Sequence, residues 1–232
     1  MARLLLYVLP VLLSYPLSAQ SVPNDDQLGA WYMYFYNHSF GEGSQWGIQG
    51  DAQYRNFNLG GDLEQLLLRS GITFAPTDAG ITFTLGYANI TTGTQGDSDA
   101  TTGESRVYQE ALFPQRIGER FLLTHRLRYE QRWVEGQDFR TRYRYNLFLN
   151  VPLNDTDLGE GIVYLALYNE LFMNGQRDIG DGRSVQFFDR NRTYIGVGYG
   201  LRSNLRTQLG WMKQTTNARG KGQLQVSLHH SW

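Results

Sequence analysis

From Gln27 onward the chain alternates apolar and polar residues with a period of two, in segments of roughly ten residues separated by turn formers. Successive side chains on a strand point to opposite faces, so each such segment has one apolar and one polar wall. In the last segment Leu224, Val226, Leu228, His230 and Trp232 share one face, and Gln223, Gln225, Ser227, His229 and Ser231 the other. Mid-chain, Tyr143, Tyr145, Leu147, Leu149 and Val151 alternate with Arg140, Arg142, Arg144, Asn146, Phe148 and Asn150, and Leu123, Leu127 and Tyr129 with Arg126, Arg128, Glu130 and Arg132. The same period holds for Ile195, Val197, Tyr199 and Leu201 against Gly196, Gly198 and Gly200. It holds again for Ile81, Phe83, Leu85 and Tyr87 against Thr82, Thr84, Gly86 and Ala88. A chain of this pattern is expected to be all-β and antiparallel.

Soluble barrels and sandwiches alternate too, so the chemistry of the two faces has to choose between them. A soluble barrel packs its apolar face inside, which here would bury many Trp and Tyr rings whose polar atoms need partners. The polar face carries arginines at consecutive positions, too many charges for an outer wall in lipid. Turning the arginines inward and the rings outward, as girdles at two interfaces, meets both constraints and predicts a transmembrane up-and-down β-barrel.

The N-terminus fits export. Met1-Ala-Arg3 precedes an apolar run from Leu4 to Leu17 and the small pair Ser18-Ala19, the order of a secretory leader, so residues 1–19 are expected to be removed and 20–232 to form the barrel domain. A membrane-anchoring helix would need about 20 apolar residues, more than this run supplies. There is no cysteine, hence no disulfide framework. A mean hydropathy of -0.43 and the lack of a later long apolar run argue against helical spans. Glycine, at 26 of 232 residues, exceeds the usual share of about 7%. A formal net charge of -1 argues against nucleic acid as a partner.

The turns suggest sidedness. An alternating strand ending in the aromatic Trp232 resembles the C-terminal signal read by the outer-membrane assembly machinery, which puts that end in the periplasm. Counting back, the tight link 202–204 and the link 75–79 fall on the same side, and the long polar links 91–105 and 175–184 fall outside. Eleven candidate strands can be found. Because single-chain bacterial barrels have an even number, twelve strands are expected, with ten as the alternative; the segments near Trp31 to Tyr36 and Val107 to Phe113 are the doubtful ones.

The chain also resembles a family of outer-membrane proteins known as domain of unknown function 2490. The resemblance is carried by Gln65-Leu-Leu-Leu-Arg69, by Arg126-Leu-Arg-Tyr-Glu-Gln-Arg132, by Arg142-Tyr-Arg-Tyr145, by Asn169-Glu170, and by Asp189-Arg-Asn-Arg192 leading into Gly196-Val-Gly-Tyr199. It implies a β-barrel and no assigned activity or cofactor; lipid, from the outward rings, and the assembly machinery, through the strand ending at Trp232, are the expected partners.

Candidate functional residues are the lumen charges: Arg126, Arg128, Glu130, Arg132, Arg140, Arg142, Arg144, Glu170, Arg190 and Arg192, with Arg55, Arg69, Asp51 and Glu110 elsewhere. Charges inside a barrel need water or partners. They could form a salt-bridged plug, chiefly compensated by Glu130 and Glu170, or line a narrow pore or pocket selecting small anions, since guanidinium forks suit carboxylate and phosphate. Three function classes stand: a channel or binding barrel for small anionic solutes, a structural or surface-interaction barrel, and a lipid-acting enzyme. For the last, His38-Ser39 and the cluster Ser227, His229, His230, Ser231 offer nucleophile and base types, but no acid at matching spacing orients the histidine. His125 falls on an apolar face, and no histidine pair has metal-ligand spacing.

Overall fold

The computed structural model describes residues 27–232; the leader expected over 1–19 lies outside them. The described chain is all strand and turn. Its elements are β1 Gly29–Ser39, β2 Trp46–Asn56, β3 Leu63–Phe74, β4 Thr82–Gly93, β5 Thr101–Ile117 and β6 Phe121–Val134, then β7 Arg140–Pro152, β8 Val163–Asn174, β9 Phe188–Arg202, β10 Leu205–Thr215 and β11 Gly220–Ser231. Each strand pairs antiparallel with its chain neighbours, and β1 closes on β11 to complete a barrel.

The closing pair is parallel, in register from Gly29 opposite Gln223 to Asn37 opposite Ser231. This corrects the expected twelve strands, and the alternative ten, to eleven. An even count is required only if every pair is antiparallel; one parallel seam closes an odd number. The doubtful segments at 31–36 and 107–113 are both genuine strands, β1 and β5.

Hairpins at 40–45, 75–81, 118–120, 153–162 and 203–204 turn at one rim, beside Trp232, and those at 57–62, 94–100, 135–139, 175–187 and 216–219 at the other, where β1 begins. We call these the Trp232 rim and the Gly29 rim. The link expected over 91–105 is mostly strand, because β4 runs on to Gly93 and β5 starts at Thr101. The ten-residue link 153–162 makes the Trp232 rim less tight than the turn signals suggested.

Alternation sorts the walls. Leu85, Ile195 and Leu209 are 56–60% exposed on the outside, whereas Glu130, Arg142 and Arg144 are 1–5% exposed inside. The barrel is therefore inverted relative to an ordinary globular protein, charged within and apolar without. Two small apolar clusters also lie inside: Trp31, Tyr164, Ala166, Tyr194 and Met212, and Leu67, Ala88, Ile90 and Tyr108. Glycine makes room for their rings. A Cβ on Gly198 would fall 2.1 Å from the Tyr164 ring, and one on Gly86 2.2 Å from that of Tyr108, distances at which the ring or the strand would have to move.

Candidate functional site in the barrel lumen

The period of two on β6 and β7 delivers Arg126, Arg128, Glu130 and Arg132 beside Arg140, Arg142 and Arg144. Antiparallel register then sets Arg128 directly opposite Arg144, and Arg132 opposite Arg140. Like charges in such positions repel, so acids must lie between them. Glu130 takes Arg142 at 2.6 Å and Arg144 at 2.7 Å, with Arg106 and Arg128 at 3.8 and 3.9 Å. Glu170, from β8, takes Arg144 at 2.5 Å and Arg126 at 2.6 Å, with Arg192 at 3.9 Å. Glu110 takes Arg128 at 2.5 Å, and Asp51 holds Arg69 through two parallel N–H bonds of 2.8 and 2.9 Å. Charge-assisted, forked pairs of this kind are the strong class of hydrogen bond.

Rings fill gaps between the guanidinium groups. Phe172, 1% exposed, lies beneath Arg144 at 4.5 Å and Arg192 at 4.7 Å, and Trp31 between Arg55 at 3.8 Å and Arg192 at 4.8 Å. Arginine stacked on a ring keeps its in-plane donors available for other partners.

Four lumen groups were not legible as such in the sequence. Glu104 sits in what reads as a polar link and Arg106 just past its end, yet β5 includes both, and Glu104 clamps Arg106 at 2.6 Å and Arg132 at 2.5 Å. Asp189 and Glu64 fall on the outward parity of their strands. Irregularities in register, between Phe172 and Met173 against β9 and between Arg55 and Asn56 against β3, leave these two residues unpaired. Such bulges re-aim a side chain: the Asp189 carboxylate accepts from Arg142 at 2.9 Å, and that of Glu64 from the Trp31 indole at 3.0 Å and Gln223 at 3.2 Å. Of the arginines singled out above, Arg190 reaches only Asp189 among the acids, at 3.1 Å. Arg140 is buried without an ion pair, its Nε lacking a partner, among the described residues.

The lumen holds a wide space and a narrow one. A vestibule of about 400 Å³ runs from Arg126, Arg128 and Arg144 past Phe35, Phe148, Tyr168 and Tyr194 to His230 and Ser231 at the Trp232 rim. A chamber of about 50 Å³ lies on the Gly29 side, lined by Arg106, Arg132, Arg142 and Arg190 together with Gln65, Leu67 and Phe172. Arg55, Arg69, Arg144 and Arg192 line both and form the partition between them.

The hydroxyl of Ser227 lies 2.9 Å from Nε2 of His229, facing the vestibule, with the Phe35 ring stacked on the imidazole at 4.8 Å. No carboxylate meets His229 among the described residues. His38 is engaged through Nδ1 by the Trp232 carbonyl at 2.7 Å, and His125 by the Tyr145 hydroxyl at 2.8 Å. No group of His, Asp and Glu suited to a metal occurs among the described residues. Trp232 caps the seam, its ring tilted against His230 at 4.5 Å and stacked on His38 at 5.5 Å.

A family model described as protein of unknown function, DUF2490, matches residues 28–225, nearly the whole described barrel, and the chain belongs to that family. No curated protein matches the chain.

Proposed function

We propose that this DUF2490 member is an exported outer-membrane barrel whose lumen is sealed at mid-height and offers its vestibule to small anionic solutes. The inversion of the two walls is the observation that carries the reading. Apolar surface left in water costs about 25 cal/mol per Å², and monomers seldom expose large contiguous apolar patches. A belt running through Leu66, Leu68, Ile72, Leu85, Ile195, Val197 and Leu209 suits hydrocarbon instead. Rings flank that belt at both heights: Phe40, Trp46, Phe121 and Trp232 toward one rim, Trp133, Phe139 and Phe187 toward the other. Such girdles suit the two interfaces of a bilayer. A lumen crossed by ion pairs is a partition rather than a pore, and eleven strands fall between the roughly 8 whose interior side chains fill and the roughly 16 that leave a channel. The arginines that outnumber the acids give the vestibule floor its preference for anions.

A second reading, a structural barrel with no solute, draws on the number of guanidinium groups already engaged by carboxylates.

The cysteine-free sequence makes the test direct. Leu85→Cys and Ser227→Cys, each labelled with a small fluorophore in vesicles containing brominated acyl chains, should give strong quenching at the first and little at the second. Equal quenching, or quenching at Ser227 alone, overturns the membrane orientation. Steady open-pore conductance of the refolded protein in planar bilayers would overturn the seal.

A further inference from the structure

We infer that the small chamber behind the vestibule is a binding site for one inorganic anion of the size of chloride, phosphate or sulfate, held as a resident counter-ion of the lumen. It stands on the charge arrangement alone and holds whether or not the vestibule takes a solute.

Charge balance comes first. Of the eight arginines lining the chamber, seven are served by Asp51, Glu104, Glu130, Glu170 and Asp189, and Arg55 feels Glu64 only at a distance. Two of these acids are shared further, Glu130 with Arg128 and Glu170 with Arg126. Positive charge is thus in excess around the chamber, and buried charge is tolerated only with partners.

The placement of the acids is the second observation. None of them lines the chamber; its charged lining is arginine alone, completed by Gln65, Leu67 and Phe172. Arg55 is 4% exposed and has no carboxylate partner among the described residues; its donors go to the amide oxygens of Gln53 and Gln65. Nη1 of Arg69 and Arg132 and Nη2 of Arg192 make no hydrogen bond or ion pair among the described residues. These are spare donors in planar forks, the geometry that binds halide and oxyanion alike.

Size sets the ligand class. A cavity of about 50 Å³ exceeds the roughly 10–15 Å³ that a single water requires, enough for one small ion. Organic ligands occupy pockets of about 300 Å³ and more. The partition arginines border both spaces, so the vestibule floor and the chamber share the same cationic groups.

The mature barrel, purified in nonionic detergent, should be titrated with sulfate, phosphate and chloride against gluconate at constant ionic strength, following thermal unfolding. Equal ionic strength equalises screening, and gluconate is too large for the chamber. A resident anion gives saturable stabilisation by at least one small ion; sulfate or phosphate without chloride identifies an oxyanion site, and chloride with equal effect a halide site. Identical behaviour in all four salts means the chamber holds only water and overturns the inference. Arg55→Gln, which removes the charge and keeps a polar amide, should weaken the responding ion by about tenfold, as loss of one charged hydrogen-bonding fork implies. Arg183→Gln, on the exposed 175–187 link, should not. If Arg55→Gln does not assemble, the wild-type comparison with gluconate decides alone.

Discussion

The two halves of the lumen are built from the same strands and differ in kind. On β7 the inward positions read Arg140, Arg142, Arg144 toward the Gly29 rim, then Asn146, Phe148, Asn150 toward the Trp232 rim. β9 changes in the same way, from Arg190 and Arg192 to Tyr194, Gly196 and Gly198. Where charges are dense, each arginine must find an acid and each acid serves several arginines, so the side chains interlock and leave about 50 Å³. Where amides and rings take over, no such reciprocity is demanded and about 400 Å³ stays free. Charge density, rather than side-chain bulk, decides where this barrel is closed.

Breaking the dense half should therefore cost far more than breaking the open one. Glu130→Gln leaves Arg142 and Arg144 without their shared acid at a site 1% exposed, and removing one partner of a buried pair costs about 3 to 5 kcal/mol. Urea unfolding of the detergent-solubilised barrel should show that loss, and an unchanged midpoint would mean the layer does not hold the lumen together. In the vestibule, Tyr168→Phe removes the hydroxyl bonded to Gln225 at 3.0 Å and keeps the ring stacked on Tyr194 at 4.9 Å. About 1 kcal/mol is expected, the net worth of one hydrogen bond; a cost matching that of Glu130→Gln would erase the distinction between the halves.

The smallest effect lies outside the lumen, where Arg116 donates to Asp157 at the Trp232 rim. That hydrogen bond holds the Asp157 carboxyl below its ordinary range. A lowered folded-state value means the pair favours folding at neutral pH and ceases to as pH falls through the folded pKa. Both side chains are solvent-exposed, so Asp157→Asn should leave the unfolding midpoint at neutral pH unmoved within error. A clear shift would show that rim contacts, and not only the lumen layer, hold this half closed.

Sequence made the walls legible because a period of two leaves no freedom: once Arg142 faces in, Tyr143 faces out. It did not reveal which arginine meets which acid, since that depends on register between strands, as with Arg126 reaching Glu170 two strands away. Nor could alternation find Glu64 and Asp189, whose parity is reversed at bulges. Glu104 was hidden by its neighbours, because Thr101-Thr-Gly-Glu-Ser105 has turn composition, and only pairing with β4 and β6 makes it strand and carries Arg106 with it. Strand number was countable directly; the general expectation of evenness displaced a correct count of eleven.

The parallel seam also fixes the order of the strands along the chain. In a barrel closed by an antiparallel pair, first and last strands start and finish at one rim, and a few residues can join them to make a circular permutant. Here β1 begins where β11 begins and the two also finish together, so joining the end of β11 to the start of β1 means crossing the barrel's height. The nine registered pairs from Gly29 to Asn37 span roughly 30 Å at about 3.3 Å per residue. Such a linker would have to thread a lumen already crossed by ion pairs or run down the apolar outer face with its backbone unpaired. Permutation with a short linker should fail here.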